Sequence, residues 1–416
     1  MKTYIFMSGI ANIIAGGPIY NSNKIKVLED NAWNVIVFPT NSGKVYIKPL
    51  EKYNSDKYEF LNFSPYIFSK RTINHFLDTM ADKIQPSEQV IIETGTDFTA
   101  LWGELLAKEI GARHIVMFLD EKNDNVNNYT FSFYEFKYKR NELYSISKES
   151  LLYIFGKYFN IENPEKNVWN AWCSNVVADE DSDIRNQLPK ADFMIGSIGR
   201  LDKPFVLNII NGVCSFANIH SDVCVGLCFF GGADEKTVSD IKSKFKKCPN
   251  IKLFISGYIW PIPKSIFNLF DVFVSGAGSA VASANMGVTT VNMDVITNLP
   301  NGFIDDLKNF HCTKLVGENK LVNYLDAVYF NDMIPEIVNK TGIDEKWKII
   351  CNDFNKQIEH VENLSSPLEY FDTSKISDCS VIRKIQFLLA HLLSFRAFLI
   401  VQKMYDRLRK LLKVYE

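Results

Sequence analysis

Short apolar runs alternate with amphipathic stretches along the first 120 residues of the chain. Residues 20–30, 70–83 and 98–111 repeat their apolar positions at helical spacing, which predicts amphipathic helices. The runs around them are rich in β-branched residues and predict strands: "TYIFMSG", "NVIVFPT", "VIIETG" and "HIVMFLD". Because these strands are largely apolar and separated by helices, they predict a parallel sheet covered by helices on both faces.

The same alternation returns after residue 192, where the sequence predicts the strands "FMIGSIG", "VCVGLCFFGG", "IKLFISG", "VFVSGAG" and "TTVNMD". The segment from about 160 to 190 is polar, acidic and weakly periodic, which predicts a linker. A chain of 416 residues is also too long for one ordinary core. We therefore predict an α/β protein with two doubly wound, Rossmann-like parallel-sheet domains, at 1–175 and 176–378, that face each other across a cleft.

Composition and charge exclude several classes of function. With 46 basic and 48 acidic side chains, the chain has no overall field that would attract nucleic acid, so we expect no nucleic-acid partner. The eight cysteines include no Cys-x-x-Cys pair, and no Asp-x-Asp motif stands at a strand end where a donor-binding metal would be expected, so we predict no metal site and expect buried thiols in a reducing compartment. No segment reaches the roughly 20 uncharged apolar residues of a spanning helix, which favours a cytoplasmic protein.

Glycine occurs at the carboxyl ends of four predicted strands in the second half, where open α/β sheets bind their ligands. Glycine permits close approach of a ligand to the backbone, and the helix that follows directs free N–H groups toward an anion. Arg200 and Lys203 follow the first of these turns. A guanidinium pairs with two phosphate oxygens and an ammonium adds a point charge, so the pattern predicts a diphosphate site. The alternative for any single turn is a purely steric glycine beside solvated cations.

Three segments resemble the nucleotide-sugar-dependent glycosyltransferases of the GT-B fold, in particular glycosyltransferase family 4. "IGSIGRLDKPFV" is similar to their "vGRL…K" segment, and "AGGPIYNSNKIKVLEDNAWNVIVFPT" to their glycine loop and following helix and strand. "FISGYIWPIPKSIFNLFDVFVSGAGSAVASANMGVTTVNMD" is similar to the stretch around their nucleobase and phosphate. The resemblance runs in order along nearly the whole chain. It implies a hexosyltransferase that moves a sugar from a UDP-sugar or related donor to a glycan or glycolipid hydroxyl, with retention, during assembly of a bacterial surface glycan.

The resemblance also implies roles for residues at the strand ends. The diphosphate would lie between Arg200, Lys203 and the backbone at 278–280, with the base beside 257–258 and the transferred sugar facing 16–17. The donor-binding residues implied in this way are Gly16, Gly17, Gly199, Arg200, Lys203, Gly231, Gly257, Tyr258, Gly278, Ser279 and Ala280. No cofactor beyond this donor substrate is implied.

One departure from the family leaves other functions open. The family usually carries two glutamates around the last glycine turn, and this chain has no acidic residue between Asp271 and Asp294. A carboxylate that normally holds the ribose hydroxyls is therefore missing. The alternatives are a nucleotide-sugar binding protein without catalysis, and a nucleotide-sugar epimerase or hydrolase of the same architecture.

The first half supplies acidic candidates for catalysis at two strand ends: Glu93, Asp97, Asp120 and Glu121. A carboxylate opposite the diphosphate would orient an acceptor hydroxyl or stabilise positive charge at the anomeric carbon. Solvated turns or helix N-caps are the alternative interpretation. His114 begins an apolar strand, and we interpret it as a structural residue.

The last segment, 379–416, predicts one long amphipathic helix with many cations. Its apolar part, 385–401, favours packing against the first domain, as the resemblance also implies. Its basic end favours contact with an anionic membrane surface on the inner face of the cell membrane, each well-placed cation contributing about 1 kcal/mol.

Overall fold

The computed structural model describes residues 1–95, 97–121, 126, 128–173, 176–178, 183–316, 319–373, 376 and 381–412. Within these residues the chain forms two large sheets with helices on both faces. No helix in the described ranges is both long enough and apolar enough to cross a membrane.

The first sheet has five parallel strands in the order β2-β1-β3-β4-β5. Its strands are β1 (Lys2–Ser8), β2 (Asn34–Pro39), β3 (Gln89–Thr94), β4 (Arg113–Phe118) and β5 (Leu143–Ser145). The helices of this unit are α1 (Gly16–Asp30), α2 (Lys70–Ala81), α3 (Asp97–Ile110), α4 (Phe131–Lys139) and α5 (Lys148–Phe155). Strand order steps outward from β1 in both directions, which places helices on both faces and the carboxyl ends of all the strands along one edge.

The second sheet has seven strands in the order β14-β13-β12-β11-β7-β8-β9. The segments between residues 176 and 330 are β6 (Val177–Ala178), α6 (Ile184–Gln187), β7 (Phe193–Ile198), α7 (Phe205–Ile219), β8 (Val225–Phe230), α8 (Glu235–Lys244), β9 (Ile251–Ile255), β10 (Ile262–Pro263), β11 (Val272–Gly276), α9 (Ala277–Asn285), β12 (Thr290–Met293), β13 (Pro300–Asp306), β14 (His311–Thr313) and α10 (Leu321–Tyr329). Strands β6 and β10 pair separately.

All nine apolar runs that the sequence predicts as strands are strands in these two sheets, which confirms the predicted α/β architecture. The antiparallel edge formed by β13 and β14 was not expected. These strands are short and carry polar residues, so the apolar pattern that marks the other strands is absent from them.

The chain returns to the first unit through α11 (Ile343–Glu362), which packs along α1. Phe354 is fully buried there, with its ring centroid 5.6 Å from that of Tyr20. The domain limits at 175, 378 and 379 stay a prediction. Helix α11, which packs on the first unit here, ends before the predicted tail segment begins at 379.

The tail forms two helices, α12 (Val381–Leu392) and α13 (Phe395–Leu412), so the prediction of a single helix is wrong. Ser394 interrupts the helix, because its hydroxyl accepts a bond from the Ala397 amide at 3.4 Å and starts the second one. Phe398, 1% exposed, packs with Phe63 and Phe68 of the first unit. This contact anchors the helix pair to the N-terminal sheet.

Candidate active site

A cleft of about 1340 Å³ lies between the carboxyl ends of the two sheets. Most of the predicted site residues line it: Gly16, Gly17, Glu93, Asp120, Glu121, Gly199, Arg200, Lys203, Gly231, Tyr258, Gly278 and Ser279. Among the described residues, Gly257 and Ala280 are outside the lining, and Ala280 is buried within α9. Asp97 begins α3, but its side chain lies outside the described part of the chain. The topology therefore brings most of the predicted residues to one cavity.

The glycine turns after β7 and β8 lie against each other. The Gly199 amide donates to the Phe230 carbonyl at 3.2 Å, and the Leu201 amide to the Gly232 carbonyl at 3.1 Å. Gly199 has a φ of +133°, which strongly favours glycine. The two strand ends thus remain paired beyond the sheet and leave backbone, without side chains, at the cleft wall.

An alanine at Gly231 should destabilise this junction. Its Cβ would lie 1.8 Å from the Gly199 carbonyl oxygen, so the two turns would have to separate. We expect the free energy of unfolding to fall by about 1–3 kcal/mol, the usual cost of overpacking. Gly342→Ala is the matched control, since the added Cβ meets no atom within 4 Å. Urea unfolding that gives both variants the same midpoint would contradict the described packing.

Helix α9 begins directly at the cleft. Gly276 is its N-cap residue and makes no side-chain cap bond, so the positive end of the helix dipole lies at the cleft. A Cβ on Gly199 would lie 3.7 Å from the Ser279 hydroxyl, which places this first turn beside the Arg200 loop. The predicted cation pair and the predicted helix start therefore belong to one wall.

The sequence prediction overlooked Asp202, which stands between the two cations. Its carboxylate lies 3.2 Å from the Arg200 Nε, with 28% of the arginine side chain and 51% of the aspartate side chain exposed. Asp202 is half-exposed, and the buried Arg200 Nε finds no well-aligned hydrogen-bond acceptor in the described part of the chain, so the pair contributes little and a diphosphate can replace it. Lys203 is exposed and forms no ion pair with another described residue. The alternation of charges along 200–203 was visible in the sequence and is the signal that was missed.

Tyr258 is enclosed on two sides. A Cβ on Gly232 would lie 2.8 Å from its ring, and the Tyr46 ring from the first unit lies 4.8 Å away, centroid to centroid. Burial, and then the nearby Asp202 carboxylate, raise the pKa of its hydroxyl, while Arg200 acts in the opposite direction. Because Gly232 and Tyr46 cover the Tyr258 ring, a nucleobase beside 257–258 would contact the edge of this ring unless Tyr46 moves. Tyr46 stands in a segment without a strand or helix pattern, so its contact with Tyr258 could not be predicted from sequence.

The first unit contributes the start of α1. Its N-cap, Ala15, has no side-chain cap bond, and Gly16 and Gly17 follow at the cleft. A Cβ on Gly16 would meet that of Cys173 at 3.3 Å. The seven described cysteines are all free thiols, but only Cys228 and Cys248 are buried. Cys173 is exposed and the other four are half-buried, so the expectation of buried thiols is wrong for most of them. Cys379 lies outside the described residues.

Glu93 belongs to a buried ion pair. It is 3% exposed, and its carboxylate accepts bonds from Lys24 Nζ at 2.6 Å, Tyr4 at 2.5 Å and Tyr20 at 2.8 Å. Lys24 is itself fully buried, and burial lowers the pKa of its ammonium. Three donors already occupy this buried carboxylate, so the geometry favours a structural role, and the catalytic role of Glu93 stays a prediction.

Asp120 and Glu121 remain as acidic residues of the cleft lining. They follow β4, and Glu121 is exposed. Their catalytic roles stay a prediction. In the described part of the chain, no group of three His, Cys, Asp or Glu side chains has the arrangement of a metal site.

Comparison with known proteins gives the fold. No protein-family model matches the chain, and no curated protein matches it either. A glycosyltransferase from Rickettsia africae is similar in structure, with 13% identity, a TM-score of 0.58, and coverage of 87% of this chain and 98% of that one. S. aureus MnaA with UDP is also similar, at 15% identity, a TM-score of 0.48, and coverage of 89% and 100%. At such identities a likeness shows the fold alone. The chain has the GT-B fold, with two Rossmann-like sheets facing a cleft.

Proposed function

We propose that the protein is a glycosyltransferase of the hexosyltransferase class, which moves a sugar from a nucleoside-diphosphate sugar to a hydroxyl group. One observation carries the proposal. Arg200, Lys203 and the start of α9 line one wall of a cleft whose other wall contains the start of α1. Cations and two helix N-termini around one cavity suit a doubly charged phosphate group better than a neutral ligand.

The chemistry follows from these groups. As the bond between the anomeric carbon and the diphosphate breaks, negative charge grows on the leaving oxygens. Arg200 and Lys203 stabilise that charge, together with amides of α9, and such a set needs no bound metal. Asp120 and Glu121 lie on the facing wall, where a carboxylate stabilises the positive charge of the sugar ring.

The finer points of the proposal come from the sequence resemblance. They are a UDP-linked donor, membership of glycosyltransferase family 4, retention at the anomeric carbon, and a role in bacterial surface-glycan assembly at the cytoplasmic side of the membrane. The stretch between Asp271 and Asp294 has no carboxylate to hold the ribose.

A donor panel tests the proposed function. The protein is incubated with UDP- and GDP-sugars, with and without n-octyl glucoside as a hydroxyl acceptor, and products are identified by mass spectrometry. A glycosylated acceptor supports transfer. Free sugar without acceptor indicates a hydrolase, an isomerised donor an epimerase, and nucleotide binding without turnover a binding protein; each of these contradicts the proposal.

We also propose that the C-terminal helix pair contacts an anionic membrane. Large apolar side chains are exposed along it: Ile382, Ile385, Phe387, Leu388, Leu392, Ile400, Val401, Met404 and Tyr405. Lys384, Arg396 and Lys403 are exposed among them. An apolar face bordered by cations is typical of helices that lie in the interface of acidic lipid bilayers.

Replacing Leu388 and Leu392 together by aspartate should abolish vesicle binding, because it removes apolar area and adds negative charge. The measurement is co-sedimentation with vesicles of phosphatidylcholine, with and without phosphatidylglycerol. We expect the wild type to bind only the anionic vesicles, less at high salt. Ile219→Asp is the matched control, since Ile219 is 63% exposed on the other unit. If the wild-type protein stays in the supernatant with both kinds of vesicle, the proposed membrane contact is wrong.

A further inference from the structure

A threonine, a histidine and a glutamate form a hydrogen-bonded chain that leads away from the cleft. Thr94, the last residue of β3, lines the cleft, and its hydroxyl lies 2.9 Å from His114 Nε2. The other ring nitrogen, Nδ1, lies 2.8 Å from a carboxylate oxygen of Glu104 on α3. All three side chains are at most 2% exposed. The catalytic candidates from the sequence included none of them.

The surrounding charges determine which atom donates and which accepts in each hydrogen bond between Glu104, His114 and Thr94. Glu104 lies 2.5 Å from Lys137 Nζ, and although burial alone would raise its pKa, Lys137 and His114 bring it down to about 2, so it is a carboxylate at neutral pH. An ionised carboxylate accepts, so the His114 Nδ1 carries a hydrogen. Burial, and then Lys137, lower the pKa of His114 to about 4, so the ring is neutral. Its Nε2 therefore accepts the hydrogen of the Thr94 hydroxyl.

The wider network holds these groups in place. Lys137 also donates to the His114 carbonyl at 3.0 Å and lies 3.1 Å from Glu142. Glu142 in turn pairs with Arg113 and Arg140. The remaining carboxylate oxygen of Glu104 accepts from the Phe371 amide at 2.7 Å. Every charge of this network has a partner among the described residues. Of Thr94, His114 and Glu104, Thr94 is the residue that lines the cleft, and its hydroxyl hydrogen points toward His114.

We propose that Thr94, supported by His114 and Glu104, relays the proton of the acceptor hydroxyl. The acceptor oxygen bonds to the anomeric carbon and gives its hydrogen to Thr94 Oγ1, while the Thr94 hydrogen passes to His114 Nε2. The bond from the anomeric carbon to the diphosphate breaks, and the diphosphate leaves with the electron pair. Glu104 stabilises the imidazolium, as a carboxylate does in a hydroxyl-histidine-acid triad. The inference rests on the proposed sugar transfer.

Thr94→Val tests the relay, since it keeps the shape of the side chain and removes the hydroxyl. With the donor that the wild type uses best and n-octyl glucoside as the hydroxyl probe, kcat should fall about a hundredfold or more, the usual contribution of a general base. The dissociation constant of UDP should not change, because the hydroxyl contacts the acceptor. Thr94→Ser restores the hydroxyl and should restore most of kcat.

Thr3→Val is the matched control. Thr3 is a fully buried strand threonine of the same sheet, and its hydroxyl lies 2.7 Å from that of Ser87, away from the cleft. It should keep the wild-type kcat. A Thr94→Val protein with wild-type kcat, or with a loss that Thr94→Ser shares, would overturn the relay. If the wild type turns over no donor and binds no nucleotide, the proposed function itself fails, which is a different result.

Discussion

Glu93→Gln should lower the free energy of unfolding by about 3–5 kcal/mol, because it leaves the buried Lys24 ammonium without its counter-charge. The Lys24 side chain is 0% exposed, and rings of Tyr4, Tyr20 and Trp169 lie within 5.0 to 5.4 Å of its nitrogen. Water cannot solvate the charge that remains, so the folded state carries most of the penalty. Chemical denaturation followed by tryptophan fluorescence measures the loss.

The double variant Lys24→Met/Glu93→Gln separates a structural role from a catalytic one. It removes the charge and keeps a carbonyl oxygen for the hydroxyls of Tyr4 and Tyr20, so most of the stability should return. If Glu93 is structural, this variant also keeps its activity with a nucleotide sugar. A stable double variant without activity would support Glu93 as the catalytic carboxylate that the sequence predicted.

Arg200→Ala/Lys203→Ala should weaken nucleoside-diphosphate binding roughly a hundredfold or more. Each charge-assisted contact to a phosphate contributes about 1.5–3 kcal/mol, and both side chains line the same cleft. Equilibrium dialysis with labelled nucleotide measures the change. Asp202→Asn should act in the opposite direction and tighten binding, because it frees the guanidinium and removes a negative charge.

Lys246→Ala/Lys247→Ala is the control for this pair. It removes two positive charges from the short helix Phe245–Lys247, on which both lysines are exposed and which lies outside the cleft lining. Equal losses of affinity in the two double variants would show that net charge, and not the site, governs binding.

The fold follows from sequence because its signals are local. A buried strand such as "VGLCFF" needs apolar residues on both faces, and a glycine at its end is required wherever two turns touch, as Gly199 and Gly231 do. Parallel pairing then forces these ends to one edge. The cleft and its cation pair could thus be predicted without coordinates.

The missed features depend on contacts between distant segments. Tyr46 meets Tyr258 across more than two hundred residues, and α11 reaches α1 from the far end of the chain. Glu93 lies at the carboxyl end of an apolar strand, where a catalytic carboxylate would also lie. Only the position of Lys24 on α1 shows that its charge is matched. His114 looks isolated in sequence because Thr94 and Glu104 join it only in the folded protein.

The central claim is that Arg200, Lys203 and the first turn of α9 bind the diphosphate of a nucleotide. Isothermal titration calorimetry of the full-length protein with uridine diphosphate and guanosine diphosphate tests it most directly. The account predicts saturable binding of one of the two at a single site, lost in Arg200→Ala/Lys203→Ala and retained in Lys246→Ala/Lys247→Ala. Binding of neither nucleotide by the wild type would contradict it.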